Sequence, residues 1–233
     1  MKLKSILPER WYLRYIKPLQ MHIVQSRGIR TYSQEGEDRL TDRLLGGRKN
    51  GFYIDIGAHH PRRFSNTYYF YRKGWSGINI EPNPELYKLF SKWRPRDINL
   101  NAGLYSKPME LKYYYFEEPA LNTFSEDIAA QQLTAQHKLV KTENIAVTTL
   151  SKALEGVQVP EFIDFMNIDT EGSEWEIIRT NNWTRIRPEL LLIELKAETI
   201  ERLLDSDMVN FLKGFKYRLI AKLFNTVIFR QEG

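Results

Sequence analysis

The stretch FYIDIGAHHP, Phe52 to Pro61, carries the reading of the fold. Phe52 to Ile56 is an apolar run interrupted only by Asp55 and bounded by glycines. It is too short for a helix and reads as a strand buried on both faces. A glycine and two histidines follow at its end. Loops that wrap a phosphate after such a strand use several glycines, so that backbone amides can close on the oxygens. Here Gly57 stands alone, and the sequence contains neither G-x-G-x-x-G nor G-x-x-x-x-G-K-[ST].

On either side of this strand, short apolar runs alternate with helical patterns. Glu35 to Leu45 predicts a helix, with Ser33 as cap and Gly46-Gly47 as stop. Helices are also predicted over 66–73, 84–92, 174–180 and 199–213. Asn83 caps the second of these, and Pro84 occupies its first position. Further strands are predicted over 77–80, 97–101, 162–168 and 190–195, and residues 215–221 and 225–230 form a closing hairpin. Strands separated by helices imply an α/β, Rossmann-like domain: a mostly parallel sheet with helices on both faces and an antiparallel hairpin at its C-terminal end.

Residues 104–149 interrupt the alternation. They hold a strand-like run, LKYYYF, then EEPALNTFSED and a polar helix near 128–136, and read as an insertion that shapes the substrate side. The run Tyr113 to Phe116 either stacks on a sugar or a base, or alternates between core and solvent as a strand.

The 233 residues suit one α/β domain over 31–233. Lys and Arg (34) are interspersed with Asp and Glu (29), a balance that argues against a dedicated nucleic-acid partner. With no cysteine, a disulfide framework and a thiolate zinc site are excluded. Residues 1–30 carry seven Lys and Arg against one Glu, among several aromatics, and are expected to form a basic helical extension. That extension either rests on anionic lipid or packs on protein, its own domain or a second subunit in a homo-oligomer. No run approaches a spanning helix, so the expected location is cytoplasmic, with the inner face of a membrane as an alternative.

In an open parallel sheet, ligands sit beyond the carboxyl ends of the strands. The residues there are Asp55 to His60, Glu81, Asn101-Ala102, Asp169 to Gly172 and Glu194. Three of the five strands end at or beside a carboxylate, which suits neither a phosphate nor a dinucleotide. Glu81, 26 residues past Asp55, is placed to receive the two hydroxyls of a ribose. A nucleoside without phosphate, carrying a cationic amino-acid portion, describes S-adenosylmethionine and not NAD.

Six stretches in order then make the sequence similar to a known family. They are YSQEGED (32–38), GFYIDIGAHHPRRFSNTYYFYRKGWSGINIEPNP (51–84), RPRDINLNAGL (94–104), EPALNTFSE (118–126), IDFMNIDTEGSEWEII (163–178) and RPELLLIELK (187–196). Together they resemble the FkbM family of S-adenosylmethionine-dependent methyltransferases. The resemblance implies the seven-stranded class I methyltransferase fold, the cofactor at the first two strand ends, and S-adenosylhomocysteine as product. It also implies transfer to a hydroxyl oxygen, commonly on a glycan or a secondary metabolite. The expected partner is therefore a saccharide or glycolipid-type acceptor. His59 stands where many methyltransferases have a second glycine.

Asp55, Gly57 and Ala58 are assigned to the amino-acid end of the cofactor, and Glu81 to its ribose. Asn101 and Ala102 are expected to flank the adenine, and Gln34 to cover the cofactor with its neighbours Ser33 and Glu37. Asn66 and Thr67 stand at the start of the following helix, whose amides are expected to receive the cofactor carboxylate, and Asp55 reaches the cofactor directly or through water. His59 or His60 is a candidate base for the acceptor hydroxyl, or else one orients the loop and the other is solvated. Asp169 and Glu171 either orient the acceptor hydroxyl or take its proton, or cap the following helix, and Asp169 is also expected to contact the cofactor. Glu194 beside Asp169 would make an oxygen-rich pocket of the kind that suits Mg²⁺, a divalent-metal site the sequence allows without demanding. Rival readings are an NAD oxidoreductase, a methyltransferase of nucleic acid or protein, and a cofactor-binding module without turnover.

Overall fold

The computed structural model describes residues 30–196 and 199–232. The basic extension expected over residues 1–30 lies outside the described residues, apart from Arg30. None of the described helices is long and apolar enough to cross a membrane.

In chain order the elements are α1 (Glu37–Leu44), β1 (Phe52–Ile56), α2 (Tyr68–Lys73), β2 (Ser76–Ile80), α3 (Pro84–Trp93) and β3 (Ile98–Leu100). Next come β4 (Gly103–Leu104), β5 (Met109–Phe116), α4 (Glu126–Thr134), β6 (Leu139–Thr148) and α5 (Leu150–Ala153). The chain closes with β7 (Phe165–Ile168), α6 (Glu174–Thr180), β8 (Leu190–Glu194), α7 (Ile200–Leu204), α8 (Asp207–Gly214), β9 (Tyr217–Lys222) and β10 (Thr226–Gln231).

Seven strands form one sheet in the order β3-β2-β1-β7-β8-β10-β9. The first five run parallel, and β10 pairs antiparallel with both β8 and β9. Strand order reverses beside β1, so its carboxyl end and that of β7 flank the natural crevice. Register follows the apolar pattern: Ile54 lies between Ile78 and Met166. Alternate residues feed two cores. On one face, Ile54, Ile78, Met166 and Leu191 meet Ile177, Leu203 and Leu212 of the covering helices. On the other, Tyr53, Phe165 and Leu192 meet Phe70 and Trp75. This is the class I methyltransferase arrangement that the sequence predicts.

Three local expectations are corrected. Helix α1 begins two residues late, because Gly36 adopts a left-handed conformation and Ser33 instead accepts the Asp38 N–H at 3.3 Å. The single helix expected over 199–213 is two, since the Ser206 hydroxyl accepts the Val209 N–H and starts α8 afresh. The insertion holds a strand that the sequence reading missed, β6, which pairs with β4 and β5 in a second, three-stranded sheet.

Candidate active site

A cleft lined by residues at the carboxyl ends of β1, β2 and β7 opens to solvent above the sheet. Its floor is the turn after β1. There the Gly57 and Ala58 N–H groups donate to the Ile80 carbonyl at 3.0 and 3.1 Å. Gly57 has φ +73°, and a Cβ at that position would lie 1.7 Å from the Asp169 carbonyl oxygen. The glycine is therefore required by the close approach of β1 to β7, as well as by the space above it.

The two histidines separate cleanly. His60 turns its Nδ1 to the Arg62 and Arg63 N–H groups, at 3.1 and 3.0 Å, and forms no part of the cleft wall. His59 has φ +53° and lines the cleft, its ring stacked on Phe64 and both ring nitrogens without a protein partner. Burial, aided by His60 and Arg63, lowers its pKa to about 4. A neutral imidazole of that pKa is a weak proton acceptor and a good hydrogen-bonding wall. The base expected at one of the histidines is thus poorly served by either.

Glu81, almost fully buried, reaches the cleft from the end of β2. Its carboxyl accepts the His59 N–H at 2.8 Å and the Asn83 N–H at 2.9 Å. Burial outweighs these two bonds and raises its pKa to about 8. Asn101 lies behind, donating to the Glu81 and Pro82 carbonyls, while Ala102 lines the wall. The second sheet and its loops contribute Leu104, Tyr113, Asn122 and Phe124, an apolar slot with polar edges beside Glu81. Gln34 closes the opposite rim.

Asp55, Asn66 and Thr67 are placed beneath the cleft instead of in its wall. Asp55 accepts from Thr67 Oγ1 at 2.6 Å and from Asn167 Nδ2 at 2.9 Å, and Asn66 Nδ2 donates to Asn167 at 2.9 Å. Arg94, fully buried, ties this layer to the loop by donating to Thr67 Oγ1, Asp97, Tyr53 and the Pro61 carbonyl. The helix after the loop starts only at Tyr68 and has six residues. These three side chains therefore brace the floor from below and do not line the cleft.

At the ends of β7 and β8, Asp169, Glu171 and Glu194 each bring a carboxylate oxygen within 4.8 Å of the others. Lys196 Nζ lies 2.9 Å from Glu194 and 3.4 Å from Glu171. Burial and the neighbouring acids hold the Asp169 pKa well above its usual value, and that of Glu171 at about 7. Burial works against the Lys196 charge, but Glu171 and Glu194 outweigh it and raise its pKa. Neither Asp169 nor Glu171 caps α6. Ser173 holds the cap position without a side-chain bond, and Glu174, the first helical residue, reaches back to accept the Thr170 and Gly172 N–H groups and the Thr170 hydroxyl of the preceding loop. Glu171 itself has φ +52°, with its carbonyl held by the Thr123 hydroxyl at 2.6 Å.

Residues 55–219 match the model of the methyltransferase FkbM domain. The chain belongs to the FkbM methyltransferase family. Among solved structures, a TehB-like SAM-dependent methyltransferase from Corynebacterium glutamicum aligns with a TM-score of 0.46 at 11% identity, over 93% of this chain and 96% of that one. The precorrin-6y C5,15-methyltransferase of Geobacter metallireducens gives 0.42 at 13%, over 84% and 87% of the chains. The Burkholderia thailandensis 1,6-didemethyltoxoflavin-N1-methyltransferase, solved with S-adenosylhomocysteine, gives 0.41 at 11%, over 97% and 91%. No curated protein matches the chain.

S-adenosylmethionine is the cofactor of this FkbM methyltransferase, and the cleft fits it: Glu81 offers an acid at the end of β2, beside the apolar slot. Tyr113, from the aromatic run with two open readings, lines the cleft, while nothing local in the sequence points to Phe64, Asn122 or Phe124 as walls, to Arg94 as a brace, or to Lys196 as partner of the acids. EPALNTF and RPELLLIELK were quoted as motifs, but the contacts of these residues lie far away along the chain.

Proposed function

We propose that the protein transfers the methyl group of S-adenosylmethionine to a hydroxyl oxygen of a saccharide or related polyhydroxy acceptor. The observation that carries this reading is the carboxylate cluster at the ends of β7 and β8, which opens onto the cofactor cleft. Carboxylates accept hydrogen bonds from vicinal hydroxyls, and three converging ones suit an acceptor with several. When bound, the cofactor supplies a methyl already activated on a sulfonium.

The chain's own part is alignment and proton removal. Glu81 and the slot around Tyr113 and Phe124 hold the nucleoside, with Gly57 keeping the floor low. The neutral His59 and Phe64 exclude water from that side. Glu171, whose pKa of about 7 poises it for general-base work, takes the proton of the acceptor hydroxyl. Asp169 and Glu194 orient the remaining hydroxyls, and Lys196 limits the repulsion among the acids. Lys196 already supplies one positive charge to Glu171 and Glu194, and the three acids are also close enough together to hold a divalent ion, which would acidify the acceptor hydroxyl.

The test is to incubate the enzyme with methyl-labelled S-adenosylmethionine and a panel of free, nucleotide-linked and lipid-linked saccharides. Label should appear in an alkali-stable methyl ether. Label recovered instead as an alkali-labile ester, or on protein or nucleic acid, would replace the acceptor class.

A further inference from the structure

We infer that the protein carries a second, non-catalytic binding surface on helices α2 and α3, which docks on the phosphate headgroups of an anionic lipid surface. Arg62, just after the glycine turn, lies 4.9 Å over the Trp93 ring and 5.6 Å over that of Tyr68. Tyr68 stacks on Tyr71 at 6.5 Å, and Arg96 lies 4.0 Å over Tyr71. Arg72 extends the row by donating to the Tyr32 hydroxyl. The three arginines are exposed, and Trp93 is 46% exposed.

Two features distinguish this face from ordinary charged surface. Among the described residues, none of Arg62, Arg72 and Arg96 has a carboxylate within ion-pair distance. The adjacent Arg63, in contrast, is paired with Glu118 at 2.5 Å. The face is therefore an uncompensated cationic row, complementary to a polyanion. In the sequence, the residues just before Tyr32 belong to a stretch, 1–30, that is itself basic, with seven Lys and Arg against one Glu.

The chemistry favours lipid over nucleic acid. Bases bind by stacking on open aromatic faces. Here the rings of Tyr68, Tyr71 and Trp93 are already covered by guanidinium groups or by one another. Arg62, lying on its rings, still presents its N–H edge to phosphate oxygens, and Arg72 and Arg96 add positive charge beside it although part of each guanidinium is spent on Tyr32 and on the Trp75 and Tyr71 carbonyls. Trp and Tyr rings are at home at the headgroup level.

The experiment is vesicle flotation of the full chain with phosphatidylcholine alone and with phosphatidylcholine containing phosphatidylglycerol. The protein should float only with the anionic vesicles. Arg62→Glu/Arg72→Glu should reduce the bound fraction by about tenfold or more, given the worth of each cation near such a surface. Lys152→Glu/Lys213→Glu, which makes the same change in net charge elsewhere, should float as the wild type does. Thermal melts of both variants within a few degrees of wild type establish that each is folded. The proposal is overturned if wild type ignores anionic vesicles, if both variants lose binding equally, or if a single-stranded oligonucleotide competes the vesicles away. None of these outcomes bears on the acceptor of the methyl group.

Discussion

The two halves of the crevice treat their acids in opposite ways. Under β1 and β2, each carboxyl oxygen of Asp55 and Glu81 accepts a hydrogen bond from the protein itself. At the ends of β7 and β8, three carboxylates crowd together with one exposed lysine between them. Buried polar groups that are fully satisfied fix a geometry, whereas crowded like charges raise pKa values and wait for a partner. The first half is built to hold a shape for the nucleoside. The second keeps electrostatic tension, which on the proposed reading an acceptor's hydroxyls and the loss of a proton would relieve. Gly57 joins them, because its backbone belongs to the first half while it touches the Asp169 carbonyl of the second.

The most severe way to break the comparison is at that joint. Gly57→Ala would push a Cβ to 1.7 Å from backbone and hold alanine at φ +73°, so β1 and β7 must separate. We expect a loss of at least about 3 kcal/mol in chemical denaturation, from steric overlap together with backbone strain. S-adenosylhomocysteine binding should fall with it. A Gly57→Ala protein as stable as wild type would mean that the two halves are not in contact there.

A smaller effect should separate the halves by function. Glu171→Gln keeps the shape and hydrogen-bonding reach of the side chain but removes the proton acceptor. If the proposed reading holds, turnover with the acceptor saccharide should fall by about 10²- to 10⁴-fold, the usual worth of a general base. Calorimetric affinity for S-adenosylhomocysteine should stay near wild type, since Glu81 and its slot are untouched. Equal losses in both quantities would place Glu171 in the cofactor half and end the division proposed here.

How far this division could be read from the sequence depends on the distance over which each residue acts. Phe52–Ile56 and Glu174–Thr180 lie where the sequence placed them, because strand length, apolar pattern and flanking glycines are local signals. Asn83 caps α3 as expected for the same reason, its side chain accepting from Glu85 N–H. Strand β6 was missed because most of its residues are exposed on both faces, leaving no alternation to detect. His59 and His60 are adjacent and chemically identical in the sequence. Only the positive φ of His59 and the turn bonds of His60 decide which ring faces the cleft. Arg94 sits in a stretch, WRPRD, that looks like solvated surface, yet its partners Tyr53, Pro61 and Thr67 lie 27 to 41 residues away along the chain. The strand-end rule located Glu81, Asp169 and Glu194 but could not tell that one acid would be satisfied and the others crowded.

The finest test of the difference is the pH dependence of cofactor binding. In the free protein Glu81 has a pKa of about 8, so at pH 7 its carboxyl is mostly protonated. Ribose hydroxyls donate to a carboxylate, so binding favours the ionised form and lowers that pKa. Affinity for S-adenosylhomocysteine should therefore rise between pH 6 and pH 8, by up to about tenfold per unit, and level off above the free-protein pKa. Calorimetry in buffers of different ionisation enthalpy should show a proton released on binding at pH 7. The same raised pKa has the opposite sign for folding. Unfolded Glu81 ionises near 4.5, so its share of stability is present below that pH and is lost as pH climbs towards 8. Ligand should then stabilise the protein most at the alkaline end, where the free fold is weakest. Glu81→Ala should bind about 10- to 100-fold more weakly, the worth of one or two charge-assisted hydrogen bonds, with a flat pH profile. A flat profile in wild type, or a sloping one in the variant, would move the ribose contact away from Glu81. The acid at the end of β2 would then be a purely structural brace for His59 and Asn83.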